Sequence, residues 1–314
     1  MEPFTLPLSN KGTVTGICYI PKYPVSAQPY YPLIVGLHGG TYRSDYFDAN
    51  EKHTAAIASK AFGVPFVSID RPCYGGTDSL LPIPEDSSFD KETGVWLHQY
   101  IFPALWRHFG VPNACTCIVA LSHSLGVMGG IIATALHAQD AEVSYPVGGL
   151  IMSGLGTRHL TLSREGPGAD DSQMPKEVVT TYPPEVKDAL MFRQGTVDPD
   201  ILALTEKLHS PAPLAEIQSL QPWLSTWEHR WAPHITVPVM FALSEQDSFF
   251  EGTKDHVEAC ARAFRSSSRI DASLVTGAPH CLELSYWSQG WYARCFGFAL
   301  ECATEFAIKS QSKN

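Results

Sequence analysis

The chain has 314 residues, of which 44% are hydrophobic and 17% charged. That is enough apolar material for one large domain with an insertion, or for two domains, and it excludes a disordered chain. A net charge of −10 argues against a nucleic-acid partner and against an anionic membrane surface.

The N-terminal Met-Glu-Pro-Phe-Thr-Leu-Pro-Leu lacks the basic start and long apolar run of a signal peptide. Residues 4–9 and 13–20 are β-rich and joined by Asn10-Lys11-Gly12, which predicts an antiparallel hairpin. A proline- and tyrosine-rich connection over 21–32 leads to Leu33-Ile34-Val35-Gly36-Leu37. This is a short apolar run of the kind covered on both faces of a parallel sheet. It ends in His38-Gly39-Gly40-Thr41. Helical spacing covers 50–62. Residues 64–69 predict another buried strand, followed by Asp70-Arg71-Pro72-Cys73-Tyr74-Gly75-Gly76-Thr77-Asp78. Residues 89–109 predict a long helix kinked by Pro103.

The apolar run from Cys117 to Leu121 has the length and composition of a strand. It passes through Ser122-His123-Ser124-Leu125-Gly126 straight into a helix that runs to residue 137. A strand that turns directly into a helix around one serine holds that residue in a strained conformation and lifts its hydroxyl out of the sheet. The serine then sits at a helix N-terminus, where free N–H groups and the dipole favour developing negative charge. Gly129-Gly130 lets the helix approach a neighbour closely. A strand over 147–152 completes an alternation from 33 to 154 that implies a parallel, doubly wound sheet.

Residues 153–233 break this pattern. They are polar, proline-rich and partly helical, with an acidic loop at 166–171, helical stretches at 185–194 and 201–208, and Trp223, Trp227 and Trp231 near the end. Trp227 and Trp231 are four apart and share one helix face. The interruption predicts a mainly helical cap over 155–234, inserted into a core of 1–154 and 235–314. The alternation resumes with a strand at 237–243, a helix at 253–264, a strand at 270–275 and a final helix at 287–308. Ser244-Glu245-Gln246-Asp247 follows the first of these strands, and Gly277-Ala278-Pro279-His280 follows the second. Doubly wound folds gather ligands at these strand ends. A serine hydroxyl becomes a nucleophile when a base is within reach and a carboxylate orients that base.

The five residues around Ser124 resemble the nucleophile elbow of the α/β-hydrolases, G-x-S-x-G, with Ser122 in place of the first glycine. The family's chain order of serine, acid and histidine then implies Ser124, Asp247 and His280 as the catalytic residues. Glu245 is the rival acid; Asp247 is preferred because the family's loop places its acid a few residues past the strand. His38-Gly39-Gly40 resembles the family's HG loop. That implies oxyanion donors at Leu125 and Gly40, with Thr41 as the alternative to Gly40. The segment from Asp70 to Thr77 resembles a family motif with a structural role, supplying turn glycines and a packed arginine. His123, Tyr42, Trp223 and Trp227 are the candidate pocket residues, His123 having packing as its other reading.

The resemblance implies a serine hydrolase that needs neither a cofactor nor a metal. The texture of HGGT, DRPCYGGTD and a long cap is similar to intracellular hydrolases found beside fungal secondary-metabolite pathways. It implies an apolar small-molecule partner, an ester, lactone or thioester of polyketide type. Acyl transfer or macrolactonisation, C–C hydrolysis next to a carbonyl, and a ligand receptor on the same scaffold remain as alternatives. Of the eight cysteines, Cys18, Cys117 and Cys260 lie in apolar surroundings and read as reduced core thiols, and Cys115-x-Cys117 has neither zinc nor redox spacing. With no apolar run near the ~18 residues of a membrane span, a cytoplasmic location is expected. The oligomeric state stays open.

Overall fold

The computed structural model describes residues 1–22, 29–161, 179–180 and 183–312. The acidic stretch at 166–171 lies outside them. The chain lays down β1 (Glu2–Pro7), β2 (Thr13–Tyr19), β3 (Leu33–Leu37), β4 (Phe66–Ile69), β5 (Ile118–His123), β6 (Val147–Ser153), β7 (Val239–Gln246) and β8 (Ile270–Pro279). These form one eight-stranded sheet in the spatial order β1-β2-β4-β3-β5-β6-β7-β8. The predicted hairpin pairs β1 with β2 antiparallel, and β2 also meets β4 antiparallel; every pair from β4 across to β8 is parallel.

The principal helices are α1 (Ala55–Phe62), α2 (89–110), α3 (Gly126–Gln139), α4 (Pro184–Met191), α5 (Leu214–Arg230), α6 (Lys254–Ala261) and α7 (Ser288–Gln311). Period-two alternation sends neighbouring residues of each strand to opposite faces. Leu33, Val35 and Leu37 therefore pack with Leu97, Ile101 and Val127 of α2 and α3. Ile34, Val119 and Leu121 pack with Tyr292, Phe296 and Ala299 of α7 on the other face. Both faces are buried, which is why β3 and β5 read as continuous apolar runs.

Pro103 sits between two departures from regular α geometry. The α2 helix widens to π geometry at Leu97–Ile101 and again at Trp106–Gly110, on either side of Phe102–Leu105. The Phe102 N–H donates to the Leu97 carbonyl, one residue further back than in an α-helix. A widened turn absorbs the proline, which has no N–H to donate, without breaking the helix.

Among the described residues, the segment between β6 and β7 carries α4, α5 and shorter helical turns. Trp223, Leu224 and Trp227 of α5 enter the same core as β3 and β5. Glu216, one turn into α5, forms a buried ion pair with Arg71 and accepts a hydrogen bond from the Tyr74 hydroxyl. The Asp70–Thr77 segment thus does more than turn the chain, since it clamps the insertion to the sheet. Asp70 itself accepts from Ser44 N at 2.9 Å and from the Thr15 hydroxyl at 2.6 Å, tying the hairpin to the loop after β3.

Helix α3 lies very close to its own strand. A Cβ at Gly130 would sit 2.4 Å from Ser122 Oγ. The missing side chain at 130 makes room for the serine that stands where the elbow pattern has glycine. Gly130→Ala is expected to cost about 1–3 kcal/mol through overpacking. Adding Ser122→Gly should recover most of that loss in urea titrations. Equal destabilisation of the single and double variants would show that the two positions do not compensate.

Candidate active site

Ser124 stands where β5 gives way to α3, with its backbone at φ 49°. L-residues rarely adopt this region, and holding one there costs about 1–3 kcal/mol. Local contacts hold it. Ser124 N donates to Ser153 O at 2.8 Å, and Val127 N donates to Ser124 O at 2.9 Å as the helix begins. Position 126 has to be glycine, because a Cβ there would lie 2.5 Å from His38 O and 2.6 Å from Leu37 O. The turn therefore seats directly against the end of β3.

The structure brings Ser124, His280 and Asp247 together across the C-terminal edge of the sheet. His280 Nε2 is 2.9 Å from Ser124 Oγ, and His280 Nδ1 is 2.7 Å from Asp247 Oδ2. The second carboxylate oxygen, Asp247 Oδ1, accepts from Phe249 N at 2.7 Å and Phe250 N at 3.1 Å. The carboxylate is fixed at both oxygens. Glu245 points elsewhere and accepts from Gly277 N at 2.7 Å in an exposed position, so the carboxylate that meets the His280 ring is that of Asp247. Such a series can relay a proton from the hydroxyl to the imidazole while the carboxylate holds the ring.

Ser124 opens onto a cavity of about 670 Å³, bordered by Gly40, Thr41 and Leu125 on the sheet side. Thr41 also has a left-handed backbone, at φ 63°, and its hydroxyl donates to Gly40 O at 2.6 Å. The opposite wall comes from the insertion, with Leu190 and Met191 on α4 and Ile217 and Leu220 on α5; Phe249 and Phe250 close one side. The lining is mainly apolar.

The four candidate pocket residues are not in this lining, and their assignment is corrected. Trp223 and Trp227 are each 1% exposed and stack on one another, with centroids 6.2 Å apart and planes 9° apart. They fill the space between α5 and the sheet. Ile217, Leu220, Trp223, Leu224 and Trp227 form one continuous apolar stripe on α5; the tryptophans and Leu224 pack in the core, Leu220 is shared between core and cavity, and Ile217 borders the cavity. Tyr42 is buried beneath the Lys187 ammonium. His123 is buried behind the site, stacked on Tyr46 with centroids 5.1 Å apart, so its packing reading holds.

That back wall is a polar cluster which sequence reasoning missed. Glu283 accepts from the Tyr46 hydroxyl at 2.7 Å and from Trp291 Nε1 at 2.8 Å. His123 Nδ1 lies 2.9 Å from Ser153 Oγ and 3.6 Å from Glu283 Oε2, and its ring is 4.9 Å from that of His280. Burial pushes the Glu283 carboxyl up. Burial, with His280 and His38 nearby, holds the His123 imidazole well below the ordinary histidine range. Phe249 and Phe250 were also missed, although their position two and three residues after Asp247 was the available signal.

Among the described residues, no group of three or more His, Cys, Asp or Glu side chains is arranged to hold a metal ion. No helix among them is long and apolar enough to cross a membrane.

Fold and site together define a class, a doubly wound hydrolase scaffold carrying a serine, histidine and aspartate at its strand ends. The chain matches the model of the alpha/beta hydrolase family over residues 34–292, and it belongs to that family. No curated protein matches its sequence. Solved structures share the fold at low identity. A thermophilic esterase from Thermogutta terrifontis has a TM-score of 0.57 at 15% identity, covering 96% of this chain and 100% of its own. The N-acyl homoserine lactonase AidH has a TM-score of 0.60 at 11% identity, covering 97% and 99%. The thioesterase domain from the curacin biosynthetic pathway has a TM-score of 0.56 at 12% identity, covering 96% and 99%.

Burial lowers the proton affinity of several histidines. His256 is the clearest case: its Nε2 accepts from Thr157 N and Arg158 N, both at 3.0 Å, and its Nδ1 donates to Glu251 O at 2.7 Å. This pins the start of the insertion to α6. Burial lowers its pKa from the ordinary 6.5, so the folded state binds the proton less readily than the unfolded chain. The stabilisation is complete above pH 6.5 and is lost as pH falls through the lower folded value. Urea midpoints should therefore drop on acidification from neutrality, with a shallower fall in His256→Gln. An identical pH slope in the variant would remove His256 from the account.

Proposed function

We propose that the protein is a serine hydrolase acting through an acyl-enzyme on an ester, lactone or thioester of an apolar, polyketide-like small molecule. The observation that carries the reading is the hydrogen-bonded series Ser124–His280–Asp247 opening onto a mainly apolar cavity. His280 takes the proton from Ser124 as Oγ attacks the carbonyl carbon. The Leu125 and Gly40 backbone N–H groups, with Thr41 as the alternative to Gly40, hold the oxyanion. The tetrahedral intermediate collapses, and His280 returns the proton to the departing alcohol or thiol. His280 then activates a water that releases the acid. In this reading residues 155–234 act as a cap whose inner wall receives the apolar part of the substrate. The presence of an esterase, a lactonase and a thioesterase among the structural neighbours agrees with an acyl substrate.

A fluorophosphonate probe should label the wild type, with the adduct on Ser124, and Ser124→Ala should not be labelled. Labelling at another residue, or a wild type that does not label, would overturn the assignment and favour a binding protein. Asp247→Asn should lower turnover of an aryl ester by about 10⁴, because the histidine tautomer is no longer enforced. Glu245→Gln should change it little. The reverse ranking would make Glu245 the acid.

A further inference from the structure

The cavity is lined mainly by apolar side chains, yet one wall carries Lys187. The residue is 1% exposed, in a chain whose net charge is −10. An ammonium group has three N–H donors and pays a large desolvation cost when buried without partners. The described partners of Lys187 Nζ are weak. The Leu208 carbonyl accepts at 3.5 Å, the Asp188 carboxylate is 3.9 Å away, beyond hydrogen-bond reach, and the Tyr42 ring face lies 4.3 Å below. The other Asp188 carboxylate oxygen already accepts from the Thr205 hydroxyl. Donor capacity is left over at a residue that lines the same cavity as Ser124.

The position relative to the chemistry is fixed by α4. Met191 is one turn further along the same helix, and its carbonyl accepts from Cys281 N at 3.3 Å, next to His280. Lys187 is thus about 6 Å along the helix axis from the residue that touches the histidine loop. Burial lowers the Lys187 pKa, while Asp188 acts to hold the charge on. An arriving anion would do the same, more strongly. A carboxylate matches this vacancy better than a neutral carbonyl, because it supplies both the countercharge and two acceptor oxygens.

We propose that Lys187 anchors a carboxylate on the substrate, so that the cavity selects acyl compounds bearing a free carboxylate along with an apolar chain. This inference rests on the reading of Ser124 as nucleophile. It narrows the substrate class from apolar esters in general to monoanionic ones. Lys187 acts here in selection of the substrate; the bond-breaking steps remain those of Ser124 and His280.

The test compares two matched pairs of substrates. One pair places the charge on the acyl side, the 4-nitrophenyl ester of suberic acid with its other end as free carboxylate or as carboxamide. The other places it on the alcohol side, the octanoyl ester of 3-hydroxybenzoate or of 3-hydroxybenzamide, followed by pH-stat. The wild type should favour the carboxylate member of one pair by about 10–100-fold in kcat/KM, mainly through KM. Lys187→Met should erase that ratio, and Lys187→Arg should keep part of it. Ratios within one protein cancel any general loss of activity, and the wild-type ratio decides even if the methionine variant fails to fold. Wild-type ratios at or below one for both pairs, or a ratio unchanged in Lys187→Met, would overturn the inference. Fluorophosphonate titration separates the two levels. An unlabelled wild type defeats the nucleophile reading, whereas a labelled wild type with no preference for charge defeats the role of Lys187 alone.

Discussion

The left-handed backbone of Ser124 depends on how closely β5, α3 and β3 meet. The strain at φ 49° is local, but the contacts that sustain it come from three elements. The end of β6 accepts the Ser124 N–H, the first turn of α3 donates to its carbonyl, and Gly126 lies against the Leu37 and His38 carbonyls. The same closeness brings the His38-Gly39-Gly40 loop to the serine: a Cβ at Gly39 would lie 3.0 Å from Ser124 Cβ. A side chain at any of these glycines would push the loop and the hydroxyl apart. The turn and the loop that borders the cavity are thus consequences of one packing arrangement.

A second constraint is the attachment of the insertion. Buried ion pairs are costly to break, since removing one partner strands the other charge. Arg71, on the loop after β4, and Glu216, on α5, therefore couple the cavity's inner wall to the sheet. His38 Nε2 accepts from the Arg71 N–H at 3.1 Å, so the same loop also touches the start of the glycine turn. Trp223 and Trp227 pack α5 into the shared core, and Ile217 and Leu220 border the cavity.

Behind His280, the cluster of His123, Ser153, Glu283, Tyr46 and Trp291 buries several polar groups at once. Buried polar networks are costly unless their members are hydrogen-bonded, and His123 Nε2 is buried without a partner among the described residues. Here the aromatic rings of Tyr46 and Trp291 supply hydrogen bonds and packing together, and the stacked Tyr46–His123 pair keeps the His123 ring in place beside His280. The rear of the site is closed by these buried side chains, and α4 and α5 border the cavity at the front.

The sequence by itself determined the α/β class, the strand and helix order, and the positions of Ser124, Asp247 and His280, because these depend on local signals. Apolar runs of strand length, glycines at a tight turn and acid and histidine just past strand ends are all readable along the chain. Strand limits shifted by a few residues, and β8 ran on to Pro279 because pairing with β7 extends it past its apolar stretch. What only the tertiary structure decided is where along one apolar helix stripe the core ends and the cavity begins. Trp223 and Trp227 looked like pocket residues because they are large and apolar, but the core has room for two stacked indoles and the cavity wall is formed by the smaller Ile217 and Leu220. Glu283 and Lys187 were unreadable for a related reason: burial of a charge is set by partners far away in the chain, Tyr46 for one and Tyr42 for the other, which only folding brings together.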